Sequence, residues 1–570
     1  MIKECNLVEF FSGIGSQAKA LKNLGIKVNT VGTCEWDVHA IAAYDMIHNS
    51  PEIPDDISAM EKEELLEKLA PYTFSNSGKA ALDTASFRTY SREVLQHIYA
   101  SITRNHNFVD ISGLSGDKLS GDIDILTYSF PCQDLSNVGA FHGYNKGIDK
   151  DSGSRSSLLW QVGRILTEMK AADTSLPRFL VMENVPTLLS QRHKQNFDTW
   201  IRDLEGLGYV SKYYELNALS FGLPQNRPRL LMISVYVGDD SSLKDLVDEY
   251  FRLKTAEDVV DDYVASDFYH NYEIGDLLRT RYENKKLRAE AVDCTPNDTP
   301  SRRKIWEDNP QIILPDYVPN EEITFIRTIT TKQDRNPNSG NLYFDSGIEG
   351  RSKFRYLTPR ECLLFMGFTD DDYKVLKKNN LEFHKGDSLF ARDKIIRMAG
   401  NSIPVKLLEG IFLQVSMLHD LINDYQIRKD KFGDNSDNKE GYCKLIRSGL
   451  FAKGIRSRVN NEDYPHEADI AYQKYRTAVF IGDCFWHTHD CPDAGNPENN
   501  LDIWGYLRDR EQGLLMGRIN SALNMGWNVL LIWECALCED RLESTLAWIS
   551  SSLKKNVKSA KVRGQLLTHG

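Results

Sequence analysis

Apolar runs alternate with helix-like repeats through the first third of the chain, and this alternation constrains the fold more than any other feature. Strand-like runs at 6–11 and 28–34 are each followed by apolar residues at helical spacing, at 17–24 and 38–47. Such alternation is typical of a parallel sheet whose strands are joined by crossover helices. The sequence therefore predicts an α/β fold here, with further strands at 123–128, 179–183 and 230–237.

The chain is long enough to form more than one hydrophobic core. It has 570 residues, 41% of them hydrophobic, whereas a single core stops growing at about 250–300 residues. Regular periodicity fades at 238–355, and we interpret this region as an irregular insertion. It fades again at 426–440, which is rich in Asp, Asn, Lys and Gly and is therefore the best candidate for a linker. Apolar runs at 471–481 and 527–533 then predict a second α/β unit, with a helix at 512–525.

Composition excludes few function classes. A net charge of -12 argues against a wholly basic nucleic-acid coat, but local patches rather than totals attract phosphates, so DNA binding stays open. No signal segment and no apolar run near the ~20 residues that span a bilayer are apparent, so we expect a cytoplasmic protein without a membrane partner. Ten cysteines in such a chain favour thiols or metal ligands over disulfides.

Two local patterns near the N-terminal end suggest chemistry. Cys132 follows a proline turn after the run 123–128, where a nucleophile could be presented, although an isolated cysteine is more often an inert core residue. Gly13 and Gly15 lie where the first strand turns into the first helix, and Glu35 ends the next strand, as in nucleoside-binding α/β folds. A tight turn and a solvated Glu would explain these three residues equally well.

Seven short motifs, in order, resemble those of the DNA cytosine-5 methyltransferases from residue 1 to about 425. They are Phe11-Ser12-Gly13-Ile14-Gly15, Glu35-Trp36, Asp110-Ile111, Phe130-Pro131-Cys132-Gln133, Glu183-Asn184-Val185, Gln225-Asn226-Arg227-Pro228-Arg229 and Gly400-Asn401-Ser402. The resemblance implies a Rossmann-like fold that binds S-adenosyl-L-methionine and methylates carbon 5 of cytosine in double-stranded DNA. An RNA methyltransferase is the rival, and the Pro-Cys loop followed by Glu-Asn-Val favours the DNA enzymes.

The same resemblance implies roles for individual residues. Cys132 would add to carbon 6 of the base, Glu183 would protonate its ring nitrogen 3, and Arg227 and Arg229 would hold its carbonyl oxygen or a flanking phosphate. Taken singly, each arginine would more simply be a surface ion pair. Cofactor contacts are implied for Phe11, Gly13, Ile14, Gly15, Glu35, Trp36, Asp110, Ile111, Leu158, Asn401 and Ser402.

The resemblance also divides this part of the chain. Residues 1–237 and 356–425 would form the catalytic domain, and 238–355 the target recognition domain. The target cytosine must leave the base stack to reach a thiol. Within the recognition domain, the run 327–335 offers side chains of the kind that contact base edges and phosphates.

Cysteine and histidine residues crowd together near the C-terminal end. Two of each lie within the eight positions 484–491, and Cys535 follows an apolar run. Thiolate and imidazole ligands at this spacing suit tetrahedral zinc. The predicted Zn²⁺ ligands are Cys484, His489, Cys491 and Cys535, with Cys538 as a substitute.

The stretches 479–487, 526–527 and 532–537 resemble the very-short-patch repair (Vsr) endonucleases, over roughly 440–550. The resemblance implies a PD-(D/E)XK-like, zinc-containing nuclease domain at 441–570 that nicks DNA beside thymine–guanine mismatches. Asp469 would bind Mg²⁺ and His487 would be the general base. The side chains implied to wedge between bases are Phe485, Trp486 and, less directly, Trp504.

Several positions depart from the Vsr pattern. Gly482 replaces a histidine, Asp483 replaces a glycine, and Leu514-Leu515 stands where an Arg-Asp pair is usual. Glu440 is the nearest candidate for a supporting helical acid, and Asp483 is a hypothetical second metal ligand. Three functions therefore stay open for the C-terminal region: mismatch repair, restriction of unmethylated DNA, and a non-cleaving zinc module that binds DNA. No obligate protein partner can be inferred.

Overall fold

The computed structural model describes most of the chain and divides it into two compact units, Met1–Ser416 and Met417–Gly570. The described residues are 1–119, 121–131, 155–308, 312–313, 324–334, 337–384, 387–432, 435–457, 465–492, 494–495, 501–558 and 566–569. Within the described residues, the two larger sheets contain ten strands, and sixteen helices have eight or more residues. Among the described helices, none has the length and apolar character needed to cross a membrane.

A six-stranded sheet forms the centre of the first unit. Its strands, in spatial order β2-β1-β3-β4-β6-β5, are β1 (Glu4–Phe10), β2 (Lys27–Cys34), β3 (Ile125–Tyr128), β4 (Phe179–Asn184), β5 (Tyr209–Asn217) and β6 (Pro228–Tyr236). Strands β1 to β4 pair in parallel, and β6 runs antiparallel to both of its neighbours. The predicted α/β fold is confirmed; the sequence patterns did not identify β5.

Helices cover the sheet and enclose the main core. They are α1 (Ser16–Asn23), α2 (Val38–His48), α3 (Lys62–Leu69), α4 (Arg92–Arg104), α5 (Leu159–Ala171) and α6 (Lys194–Leu207). The fully buried Trp200 on α6 donates an Nε1 hydrogen bond of 3.1 Å to the hydroxyl of Tyr128 at the end of β3. This bond satisfies two polar groups that would otherwise be costly inside the core.

The region predicted to be an irregular insertion contains regular helices. They are α7 (Ser241–Leu253), α8 (Ala256–Val264), α9 (Lys285–Asp293) and α10 (Pro300–Asp308), followed by α11 (Asp370–Lys378), α12 (Arg392–Asn401) and α13 (Val405–Phe432). The prediction failed because charged residues interrupt an amphipathic repeat, in which Leu243, Leu246, Val247 and Tyr250 are buried. Tyr250 donates a 2.6 Å hydrogen bond to Gln414 on α13.

The second unit contains a four-stranded sheet, β7 (Ile470–Tyr472), β8 (Thr477–Gly482), β9 (Asn528–Trp533) and β10 (Leu566–His569), in that order. Its helices are α14 (Asn435–Ala452), α15 (Leu501–Asn524) and α16 (Glu539–Lys558). The single strand predicted over 471–481 is two antiparallel strands, because the chain reverses at Arg476, whose φ is 44°. The stretch predicted as a linker, 426–440, lies mainly in the end of α13 and the start of α14.

Candidate active sites

A cavity of about 460 Å³ lies at the carboxyl ends of the four parallel strands β1 to β4. Ligand sites in open α/β sheets occur at this edge, and the volume suits a nucleoside-sized ligand. The structure brings twelve further predicted site residues to the cavity together with Glu35. They are Phe11, Gly13, Ile14, Trp36, Asp110, Ile111, Leu158, Glu183, Arg227, Arg229, Asn401 and Ser402.

The loop after β1 is shaped by three residues with left-handed backbone conformation. Phe11, Gly13 and Gly15 have φ values of 58°, 53° and 76°. Gly15 does not line the cavity, although Ile14 and Ser16 on either side of it do, and its cofactor contact stays a prediction. A Cβ at Gly15 would lie 2.3 Å from Nε2 of His48, so this glycine is required for packing of the loop against α2.

Glu35 organises the cavity wall through backbone hydrogen bonds. Its Oε2 accepts from the N–H of Gly13 at 3.0 Å, and Oε1 accepts from Trp36 at 2.9 Å and Asp37 at 2.8 Å. Burial raises the pKa of Glu35 to about 7, the nearby Asp37 charge adds to the rise, and the three backbone hydrogen bonds oppose it. The Glu35 carboxyl group therefore gains or loses its proton close to neutral pH.

Glu9 is a buried acid that the sequence patterns did not identify. It lies inside β1 with no exposed surface, accepts a hydrogen bond from the Tyr44 hydroxyl, and accepts the N–H of Ala18 on α1 at 3.3 Å. Burial raises its pKa to about 7. The signal for Glu9 in the sequence was an acidic residue between apolar residues of a predicted strand. Glu9 therefore connects β1 to α1 and α2, and it does not line the cavity.

Glu183 and Arg229 form an ion pair within the cavity. The distance from Arg229 Nε to Glu183 Oε1 is 2.8 Å, and the two side chains are 11% and 13% exposed respectively. Burial raises the pKa of Glu183, while the positive charges of Arg229 and Arg227 oppose the rise. The arrangement provides a carboxyl group that can carry a proton, held in a fixed orientation.

Cys132 lies outside the described residues. The two residues before it, Phe130 and Pro131, line the cavity. Asn184, next to Glu183, donates a 3.1 Å hydrogen bond to the carbonyl of Phe130 and so ties this loop to the end of β4. The loop that leads to Cys132 therefore begins beside the Glu183–Arg229 pair.

Arg227 connects separate segments of the chain. Its guanidinium donates to three backbone carbonyls, those of Ile329 at 2.8 Å, Gly400 at 2.9 Å and Ser402 at 2.7 Å. It is 2% exposed. These contacts join Ile329 to the cavity wall at the end of α12, so Arg227 holds protein segments together; its contact with a base or phosphate stays a prediction.

The run 327–335 is partly unavailable for contacts with DNA. Gln333 is buried, donating to the carbonyl of Thr330 at 3.0 Å and accepting from Ser339 at 2.5 Å, so both ends of its amide already have partners within the protein. Arg327 and Lys332 are exposed. Arg335 lies outside the described residues.

The four predicted zinc ligands converge in the second unit. The potential ligand atoms of Cys484, His489, Cys491 and Cys535 all lie within 4.8 Å of one another, and Cys538 is not in this group. The His489 ring stacks on Trp533, with ring centroids 4.4 Å apart, a support that the sequence did not indicate. Three thiols and one imidazole at this separation fit a tetrahedral metal site.

Asp469 and His487 lie on either side of β8 in the chain. Asp469 accepts the N–H of Ile481 at 2.7 Å and is ion-paired with Lys439 and Arg518. His487 Nδ1 lies 2.9 Å from the backbone nitrogen of Asp483, and burial lowers its pKa. Asp483 accepts the N–H of Trp486 at 2.7 Å, which caps the turn; this contact gives no support to its role as a second metal ligand.

The predicted intercalating side chains form a packed aromatic cluster. The ring centroid of Phe485 lies 5.1 Å from that of Trp486 and 5.2 Å from that of Trp504. Phe485 is 4% exposed and Trp504 is fully buried, so insertion of either between bases would first require the cluster to open. Trp486 is half-buried and is the accessible member of the three.

Comparison with known proteins identifies relatives for both units. A family model described as C-5 cytosine-specific DNA methylase matches residues 80–417, and one described as DNA mismatch endonuclease Vsr matches residues 422–493. The Type II methyltransferase M2.ScrFI of Lactococcus lactis subsp. cremoris is 30% identical over 417 residues, which cover 71% of this chain and 98% of the relative.

Two further relatives support the same division. The Orphan methyltransferase M.SssI of Spiroplasma monobiae is 30% identical over 423 residues, covering 72% of this chain and 96% of the relative. The Type II nicking enzyme V.NmeAIP of Neisseria meningitidis is 32% identical over 114 residues, covering 19% of this chain and 81% of the relative.

Proposed function

The chain belongs to the C-5 cytosine-specific DNA methylases and carries a Vsr endonuclease domain, and on this premise we propose that it methylates cytosine in DNA through a covalent Cys132 adduct. One observation carries this proposal: the Glu183–Arg229 pair lines the same cavity as Glu35 and the loop after β1. Bisulfite sequencing of DNA from cells that express the chain tests it, because methylated positions identify both the product and the target sequence.

The residues that line the cavity form two groups, one that would bind the methyl donor and one that would act on the target cytosine. When bound, S-adenosylmethionine supplies an electrophilic methyl group. Glu35, Trp36, Asp110 and Ile111 would hold its nucleoside, with Glu35 accepting ribose hydroxyls. Leu158, Asn401 and Ser402 line the remaining wall.

The covalent step belongs to Cys132 and Glu183. The thiolate adds to carbon 6 of the flipped cytosine while the Glu183 carboxyl group gives its proton to nitrogen 3. Carbon 5 would then take the methyl group from the cofactor's sulfonium, whose sulfur would keep the electrons of the broken bond and leave as a neutral thioether. Water would remove the carbon 5 proton as the thiolate leaves carbon 6, and nitrogen 3 would return its proton to the Glu183 carboxylate, which restores the ring. Arg229 orients Glu183 through their 2.8 Å ion pair.

The cofactor affinity is expected to depend on pH through Glu35. The carboxylate accepts ribose hydroxyls and three N–H groups, so cofactor binding favours the ionised form. With a pKa of about 7 in the free protein, Glu35 is mostly protonated at pH 6, and the Kd for S-adenosylmethionine should rise roughly tenfold from pH 8 to pH 6. Calorimetric titration at both values measures the change.

Two variants distinguish the contribution of Glu35 to this pH dependence from that of Glu9. Glu35→Gln should weaken binding and remove the pH dependence. Glu9→Gln should preserve that dependence, because Glu9 has a similar pKa of about 7 but lies outside the cavity. A pH dependence that survives in Glu35→Gln and disappears in Glu9→Gln would contradict the assignment.

For the second unit we propose a zinc-stabilised endonuclease that nicks thymine–guanine mismatches. Cys484, His489, Cys491 and Cys535 would hold Zn²⁺, His487 would act as general base, and Asp469 would contribute to a Mg²⁺ site. Deamination of 5-methylcytosine yields thymine opposite guanine, so the first unit's product is the source of the second unit's substrate. The match to the Vsr family model, over residues 422–493, carries this proposal.

Nicking should be selective for the mismatch. We expect the full chain with Mg²⁺ to cut one strand of a duplex that carries a thymine–guanine mismatch at the target, and to leave matched and methylated duplexes intact. Denaturing gels of end-labelled strands give the readout. Double-strand cleavage of the unmodified duplex would indicate restriction instead, and binding without cleavage would indicate a DNA-binding module.

A further inference from the structure

Asn107 joins the two loops that carry predicted nucleoside contacts. Its side-chain Oδ1 accepts hydrogen bonds from the N–H of Glu35 at 3.1 Å and from that of Val109 at 2.9 Å. Its Nδ2 donates to the carbonyl of Glu35 at 3.1 Å. Glu35 directly follows β2, whereas Val109 directly precedes Asp110. A single buried carboxamide therefore connects both loops through three hydrogen bonds to backbone groups.

Val109 has a backbone conformation that its own side chain disfavours. Its φ is 64°, in the left-handed region, where a β-branched residue is rare because Cβ approaches a backbone carbonyl. The N–H of Asp110 donates to the carbonyl of Phe108 at 2.8 Å, which closes a γ-turn around Val109. A γ-turn with a positive φ at its centre is the rare and strained form, and it persists only where surrounding contacts enforce it.

The contacts that enforce this turn come from the end of β2 and from Asn107. The Cys34 thiol donates to the carbonyl of Val109, with 3.4 Å between sulfur and oxygen. The N–H of Phe108 donates to the carbonyl of Thr33 at 2.9 Å. The buried N–H of Val109 donates to Asn107, and it would lose this partner if the carboxamide were removed, at the cost of an unsatisfied buried donor.

The turn determines which residues form this wall of the cavity. Val109, Asp110 and Ile111 are consecutive, and all three line the cavity together with Glu35. Relaxation of the turn would redirect the chain at Asp110 and disrupt the wall. Asn107 does not line the cavity, so its effect on a ligand must pass through the backbone that it holds.

We propose that Asn107 is a positioning residue for the cofactor. Its carboxamide fastens the strained turn at Val109 to the backbone of Glu35, so that the two loops enclose the nucleoside of S-adenosylmethionine together. The inference rests on the proposed function and adds to it a residue that touches neither cofactor nor DNA. Removal of the carboxamide should lower the affinity for the cofactor and leave the chemical step unchanged, because Glu183 and Arg229 act on the base instead.

Asn107→Ala in the full chain tests the proposal. Calorimetric titration should give a Kd for S-adenosylmethionine roughly tenfold or more above that of the unmodified chain, because the turn relaxes. The KM for S-adenosylmethionine should rise in parallel, while single-turnover methyl transfer at saturating cofactor should keep its rate. If this variant does not fold, Asn107→Asp replaces it, which keeps an acceptor for both N–H groups and removes the donor, with a smaller rise expected.

Relief of the backbone strain provides a second readout. Glycine adopts a positive φ without steric cost, so in a Val109→Gly background the turn no longer depends on Asn107 to enforce it. Asn107→Ala in that background should raise the Kd by only about threefold or less. If Val109→Gly does not fold, Val109→Asn replaces it, because asparagine also tolerates a positive φ.

The matched control is Asn105→Ala. Asn105 is also buried, but its amide donates to Asp45 on α2 and to the carbonyl of Ser101 on α4, neither of which lines the cavity. It should lower the thermal unfolding temperature without changing the Kd. An unchanged Kd in Asn107→Ala, an equal loss in the two Val109 backgrounds, or an equal loss in Asn105→Ala would overturn the proposal.

The unmodified chain separates this inference from the function on which it rests. Failure of the unmodified chain to bind S-adenosylmethionine would reject both. Binding by the unmodified chain with equal binding by Asn107→Ala would reject the positioning role alone.

Discussion

Replacing Cys132 with alanine is expected to abolish methyl transfer, lowering the rate by about 10⁴-fold or more, because no other group in the mechanism can add to carbon 6 of cytosine. The variant should still bind S-adenosylmethionine with unchanged Kd, since the proposed nucleoside contacts lie at Glu35, Trp36 and Asp110. Transfer of a radiolabelled methyl group to DNA measures the rate, and calorimetry measures the Kd.

A second cysteine provides the matched control. Cys5 is buried on β1, and burial raises the pKa of its thiol to about 12, so it remains protonated at neutral pH. Cys5→Ala should therefore retain methyl transfer. Denaturing gels should show a DNA adduct with a 5-fluorocytosine duplex for the unmodified chain and none for Cys132→Ala. Methyl transfer that survives in Cys132→Ala would disprove the covalent mechanism.

Loss of the metal cluster is expected to destabilise the second unit by several kcal/mol. Structural zinc contributes about 10–16 kcal/mol in isolated zinc-finger peptides, and the effect here should be smaller because apolar cores cover both faces of the sheet β7–β10. Cys484→Ser removes the thiol of a fully buried member of the proposed ligand set. We expect one zinc per chain by atomic absorption, none in this variant, and a lower free energy of unfolding for the second unit.

The control for this experiment is Cys538→Ser. Cys538 is exposed and lies outside the group of four, so its replacement should change neither zinc content nor stability. Chelation of the unmodified chain should reproduce the effect of Cys484→Ser. A zinc content of one per chain in Cys484→Ser, or zinc loss in Cys538→Ser, would show that the ligand set is wrong.

Motif spacing anticipated which residues come together in each unit. The loop after β1, Glu35 and Glu183 all reach one cavity because parallel strands place their carboxyl ends at one edge of a sheet. The set Cys484, His489, Cys491 and Cys535 converges because parallel pairing brings the ends of β8 and β9 together. In both cases the local sequence and the parallel pairing of strands were sufficient to predict which residues come together.

Roles that depend on distant partners could not be anticipated. Arg227 contacts carbonyls more than 100 positions away, at Ile329 and Gly400, and no local pattern indicates such partners. Phe485 lies in a match to a family of DNA enzymes, yet its burial is decided by α15 through Trp504.

Periodicity, together with motifs whose members are close in the chain, was sufficient to predict the α/β fold, the two families and the chemical types of the site residues. The tertiary structure alone decided which groups share a contact. Lys439 and Arg518 come from separate helices and meet at Asp469 because folding brings α14 and α15 to the strand that follows it. The charge around a carboxylate is set by distances in space, which sequence spacing does not specify.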